Sequence, residues 1–427
     1  MADSIAIWIS KNNQETKSVT VTTPTINDEE EIATEEIATE ETETNKVNDP
    51  SPHVELHFNY WSISEDGFTK KSCLYGMKAK GERRRGLLRF SFLLLYRVGV
   101  VWSYFTRLAN KFFGENTISF LDVGVKYQYL DGDICLYLPF RLMEDEYDGD
   151  LCLRMSKERE LLSTLFNNSV KIDESLTSQE LISKISFFKE DKDEEVYLIK
   201  NLSINKDNEI GTGVTLNLVQ DGGCCLTFPQ KILNLPNESN YGYFRFRIML
   251  SKYNKEKIST YYKAKDRFFS AKDEMIELID FRINEIRNIP PQFKEELVKR
   301  DIISSVHFFA IREVNTEFLM SDDKYSRCRL LEGPLWKSYL ESNQFLKINN
   351  IPLSLIYHWK KKGKINVNMR ENLDKYTAFA KFSYSRFSIS AILRNIIVII
   401  LLAISANSIY FVLYERWFKD ILSTLIS

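Results

Sequence analysis

Ile118-Ser-Phe-Leu-Asp-Val-Gly-Val-Lys-Tyr-Gln-Tyr-Leu-Asp-Gly-Asp-Ile-Cys-Leu-Tyr-Leu-Pro-Phe140 is the stretch that sets the fold class. Apolar residues alternate on both sides of Asp131-Gly132, which is the strongest short-range hairpin signal a sequence offers. Pro139 ends or edges the second run. Further strand patterns occur at 53–61, 196–204, 213–219, 224–228, 243–250 and 306–314. Helices are expected at 156–166, and at 178–188 behind a capping box of Thr177 and Glu180. A third is expected over 270–288, where Met275, Ile279, Ile283 and Ile286 form one stripe that Pro290-Pro291 stops. Residues 315–350 read as irregular around Gly333-Pro334. The sum is an α+β domain over 114–388 with a largely antiparallel sheet or sandwich.

A second stretch fixes where this domain sits. Residues 395–414 carry no charge, and Ile396-Ile-Val-Ile-Ile-Leu-Leu-Ala-Ile404 is apolar on every face. At a rise of about 1.5 Å per residue the run reaches roughly 30 Å, the thickness of a bilayer's hydrocarbon core. Arg394 and Glu415-Arg416 close its ends, and Tyr410, Tyr414 and Trp417 suit an interfacial aromatic belt. A transmembrane helix over 389–414 is expected, followed by an amphipathic tail over 415–427. Lys375, Lys381, Arg386 and Arg394 precede the span, against Arg416 and Lys419 after it. The positive-inside rule then keeps the large domain cytoplasmic, at the cell inner membrane. Ala403, Ala406 and Asn407 share one side of the span, a pattern that favours helix–helix contact and a homo-oligomer.

Residues 86–113 give the third strong signal. Wound as a helix, Arg85, Arg89, Arg97, Arg107 and Lys111 fall on one stripe, while Trp102 and its Leu, Val and Phe neighbours fill the rest. These six residues are the candidate membrane contacts, because such a helix suits the headgroup layer of anionic lipid. The alternative is a second span from Leu87 to Phe105, where the central Arg97 would cost roughly 3 kcal/mol. That span would put Arg83-Arg84-Arg85 outside, against the charge rule, so the interfacial placement is preferred. The same basic and aromatic residues could grip RNA.

The chain has 427 residues and a net charge of −2, but its charges are segregated. Residues 1–52 read as a disordered acidic tail, with the repeated Glu-Glu-Ile-Ala-Thr at 30–34 and 35–39. Residues 53–85 read as a strand followed by a basic segment. Six scattered cysteines form no C-x-x-C pair, and the first ten residues lack the basic and apolar regions of a signal peptide.

Catalytic motifs are not found. His53, Glu55 and His57 would share one face of a strand, but H-E-x-x-H requires Glu beside the first His on a helix, so a solvated polar face is expected there. Gly211-Thr-Gly213 and Asp221-Gly-Gly223 read as turns without the Lys-Ser/Thr of a P-loop. The acids Glu144 to Asp150 lack EF-hand spacing and read as a solvated loop. His307 reads as a strand residue and His358 as an interface residue. No catalytic residue, metal site or cofactor is expected.

By organisation the chain resembles the membrane-bound effectors encoded beside reverse transcriptases in bacterial retron anti-phage systems. The resemblance rests on the basic-hydrophobic stretch 83–113, the strand-rich middle from Ile118 through Phe140, and the C-terminal span. It implies a toxin-like protein held silent until infection, partnered by a reverse transcriptase or RNA-containing complex, that then perturbs the inner membrane. The sequence thus reads as a non-enzymatic membrane-anchored effector that senses a partner through its cytoplasmic domain. The alternative is a membrane-tethered scaffold for anionic lipid or RNA without toxic activity.

Overall fold

A computed structural model describes residues 3–10, 52–64, 68–70, 117–166, 169–172, 182–187, 194–205, 213–236, 241–263, 272–299, 302–341, 346–348, 351–363, 365–366, 369–370, 372–387, 389–414 and 418–426. The six basic and aromatic residues assigned to the lipid-facing helix, Arg85 to Lys111, lie outside these residues, as does the acidic repeat.

The architecture is α+β, built on one large mixed sheet. Its strands run in the order Arg327–Leu330, Ser354–Lys362, Ile303–Glu313, His53–Ser64, Thr117–Gln128, Tyr241–Met249, Glu194–Ile199, Ile182–Phe187, Val170–Ile172. Most pairs are antiparallel, but Ile303–Glu313 runs parallel to His53–Ser64, and Glu194–Ile199 parallel to Tyr241–Met249. Strand alternation divides the His53–Ser64 side chains between two faces. Val54, Leu56, Phe58 and Tyr60 enter the main core, which two four-stranded sheets close from that side. One of these contains Ala6–Ser10, Asp133–Leu138, Cys224–Phe228 and Thr215–Leu218; the other contains Ser259–Lys263, Lys272–Ile283, Tyr376–Phe387 and Thr316–Ser321. On the opposite face Trp61 and Ile63 join a second core, made with Leu151, Leu161, Trp336 and Tyr339 from three short helices.

Asp131-Gly132 does not close a hairpin: Thr117–Gln128 belongs to the large sheet, while Asp133–Leu138 pairs with Ala6–Ser10 and Cys224–Phe228. The dipeptide is a corner between sheets, and Gly132 is required because a Cβ there would strike the Ser10 carbonyl. A hairpin does close at Asp221-Gly222-Gly223, where Gly222 takes φ +84° between two paired strands. The expected helices at 178–188 and 270–288 are instead the strands Ile182–Phe187 and Lys272–Ile283. Residues 315–350 hold three strands and the helix Gly333–Leu340. The first ten residues, assigned to the tail, contribute the strand Ala6–Ser10.

Two buried ion pairs tie the layers together. Arg247 donates to both carboxylate oxygens of Asp122 at 2.7 and 3.1 Å, and both side chains are fully buried. Trp61 Nε1 and Tyr339 Oη also donate to Asp122, at 2.9 and 2.6 Å. On the other face Arg312 donates two 2.9 Å hydrogen bonds to Glu277. Burial alone would raise the Glu277 carboxyl, but the Arg312 charge outweighs it and holds that group below the ordinary range.

The helix Ile389–Leu413 follows the strand Tyr376–Phe387 after a single residue. Its segment Asn395–Leu413 is long and apolar enough to cross a membrane, with a mean hydropathy of 2.6, and none of it is buried in the protein. Ala403, Ala406 and Asn407 are exposed along it. Ser405 and Ser408 donate to the carbonyls of Leu401 and Ile404, so their hydroxyls are satisfied within the helix. Lys381 and Arg386, counted above among the flanking charges, are strand residues paired in a sheet rather than part of a linker.

Candidate functional site

The face of the large sheet opposite the main core is not solvated as expected from the sequence. Beyond Trp61 it walls a cavity of about 540 Å³, with Phe166 and Trp336 from two covering helices on the other side. That volume is in the range of sites that enclose a small organic molecule.

Strand register explains the lining. Lys360, His307, His57, Gly124 and Arg245 stand opposite one another across five consecutive strands. A neighbouring row runs Lys362, Ser305, Glu55, Lys126 and Tyr243. Gly124 leaves the gap that the row needs: a Cβ there would run into the Tyr243 hydroxyl and come within 3.3 Å of the His57 Cβ. Three of the chain's four histidines thereby converge, from positions 250 and 51 residues apart. His57 Nε2 lies 2.8 Å from Glu55 Oε1, and His307 Nε2 lies 3.4 Å from the same oxygen. His358 Nε2 sits 3.2 Å from His307 Nδ1, with the His358 ring stacked on Phe309 at 4.2 Å.

The cavity is electropositive. Lys126, Arg245, Arg327, Arg329 and Lys360 line it, against the carboxylates Glu55 and Glu194. Both acids are engaged, Glu194 by Lys126 and Glu55 by His57. The histidines respond to this surplus. Burial, then the neighbouring His57, pushes His307 down to about 2; burial, then Lys360, pushes His358 down to about 4. Burial also lowers Lys360, with Lys362 adding to it, and lowers Arg329, with Arg327 adding to it. Burial would raise the Glu55 carboxyl, yet the hydrogen bond from His57 and the surrounding positive charge hold it below the usual range.

Arg245 is the most telling residue. It is 2 % exposed, and its Nη1 donates to Tyr243 Oη at 3.0 Å. Nε and Nη2 make no hydrogen bond. The buried carboxylate whose charge acts on it, Asp122, already accepts from Arg247, Trp61 and Tyr339. A buried guanidinium ordinarily has a carboxylate or a set of acceptors, because removing its charge from water costs several kcal/mol. Arg245 lines the cavity, and its Nε and Nη2 are left without an acceptor.

Among the described residues, no sequence-predicted site residue falls at this cavity. Ala403, Ala406 and Asn407 lie on the apolar helix, far along the chain from it. His53, Glu55 and His57 were singled out by the sequence, but His307, His358 and Arg245 were not joined to them. Only strand order brings those together, and strand order is not written in local pattern. The acids around Gly149 hold no comparable cluster: Asp148 is taken up by Arg154 at 2.7 Å. Compared with known proteins, the chain matches no family model, no curated protein and no solved structure.

Proposed function

We propose that the protein is a membrane-anchored receptor for a small anionic ligand, and that it works as a non-enzymatic effector of bacterial antiviral defence at the inner membrane. The observation that carries the receptor half is Arg245, buried at an electropositive cavity with two donor nitrogens unused. An organic phosphate of nucleotide size suits the site. Its phosphates would take Arg245 and Lys126, and a ring would lie among Phe166, Phe309 and Trp336. The effector half draws support from the exposed apolar helix, joined by one residue to a strand that is paired over its whole length with Lys272–Ile283. A strain set up in the sheet domain would reach that helix without a slack linker. Self-association through Ala403, Ala406 and Asn407 and contact of Arg85 to Lys111 with anionic lipid belong to the same reading, as does a reverse transcriptase or RNA-containing complex as the source of silence before infection.

Arg245→Met separates the parts. Expression of the full chain in bacteria carrying a potential-sensitive dye should depolarise the membrane once the ligand is present, during phage infection. Arg245→Met should leave the potential unchanged while accumulating to the same level in the membrane. A potential that stays constant with the wild-type chain throughout infection would rule out the effector reading. Depolarisation by both chains alike would detach the output from the cavity.

A further inference from the structure

We propose that Glu55, His57 and His307 form a zinc site in the wall of this cavity. The inference stands apart from whether the cavity takes an anion. Glu55 and His57 are two residues apart on one strand and so share a face, and His307 faces His57 across a parallel pair. Glu55 Oε1, His57 Nε2 and His307 Nε2 lie within 4.8 Å of one another. Two ligands of a tetrahedral zinc at 2.0–2.1 Å are about 3.3–3.5 Å apart, so small rotations of these side chains suffice.

Two further features favour a metal. First, His358 Nε2 at 3.2 Å from His307 Nδ1 orients the ring and leaves its Nε2 toward Glu55, the outer hydrogen bond that metal-bound histidines ordinarily make. Second, His307 Nε2 is buried without a hydrogen-bond partner, which a bare structural imidazole seldom tolerates. Two imidazoles and one carboxylate select zinc over magnesium or calcium, which prefer oxygen donors. Such a set leaves a coordination position open. In this wall the open position is on the cavity side, where an anion attracted by the basic residues would complete the coordination.

Zinc titration of the metal-stripped full chain in detergent micelles, in competition with a zinc-sensitive dye, tests the site. The wild-type chain should take up one zinc per chain. His307→Gln and Glu55→Gln should each weaken uptake at least about 100-fold, and His358→Ala about 10–100-fold. Arg245→Met should keep zinc uptake, so a failure of the anion reading and a failure of the metal site give different results. A wild-type chain that takes up no stoichiometric zinc overturns the proposal whatever the variants do. So does uptake that His307→Gln and Glu55→Gln leave unchanged.

Discussion

Asp122→Ala is expected to destabilise the sheet domain by about 3–5 kcal/mol, the cost of stranding a buried partner charge. The carboxylate accepts two hydrogen bonds from Arg247, one from Trp61 and one from Tyr339. These donors belong to the two strands that flank the strand of Asp122 and to the helix Gly333–Leu340. Removing the acid leaves Arg247 buried, with one hydrogen bond to the Leu340 carbonyl at 3.1 Å, the faces of Phe120 and Tyr339 beside it, and Asp148, itself bonded to Arg154, as its remaining counter-charge. The helix also roofs the cavity through Trp336, so ligand binding should fall together with stability. Denaturant unfolding of the full chain in micelles, followed by tryptophan fluorescence, checks this. A loss below about 1 kcal/mol would mean that Asp122 is not the linchpin of the layer, since that is the range of exposed pairs.

Ile400→Arg combined with Ile404→Arg should expel the C-terminal helix from the bilayer. Each arginine near the middle of a span costs about 2.5–3.5 kcal/mol on insertion scales, so the pair costs roughly 6 kcal/mol. Both positions are exposed on the apolar helix, at 52 % and 57 %, and no described residue buries them. Wild-type chain should resist extraction with alkaline carbonate, and the double variant should be extracted. Carbonate also strips proteins held only by headgroup charge, so retention through the basic segment 86–113 as an interfacial helix would not mask the result. Extraction of the wild-type chain would show that Asn395–Leu413 is not a span.

The apolar helix and the cavity are unequally legible in the sequence. An uncharged apolar run needs no tertiary information, and the helix Ile389–Leu413 lies where the run places it. The strand Cys224–Phe228 was equally readable, because its Asp-Gly-Gly turn demands a positive φ. The stripe Met275, Ile279, Ile283 misled because a spacing of four is even. It satisfies one face of a strand as well as one face of a helix, and Glu277 and Phe281 fill the same strand face between those positions. Arbitration came from pairing with Tyr376–Phe387, a strand 100 residues later. The Asp131-Gly132 signal failed for a related reason: a turn motif fixes the local bend, not which strands the flanking runs join. The cavity was least legible of all. Glu55 and His57 announce a polar strand face, but its covering helices, the parallel neighbour carrying His307 and the guanidinium of Arg245 arrive through register across five strands.

On the proposed function, Arg245 is held without a carboxylate partner so that an anion can meet it. Calorimetric titration of inorganic pyrophosphate and ATP into the full chain in micelles, at low and at moderate salt, tests this. Binding by the wild-type chain should weaken as salt rises. Arg245→Met should bind at least about 30-fold more weakly, equivalent to about 2 kcal/mol. The ligand-free variant should melt no lower than wild type, because an apolar side chain relieves a buried charge that lacks its partner. Failure of either phosphate to bind the wild-type chain, or equal binding by Arg245→Met, would contradict that role of Arg245.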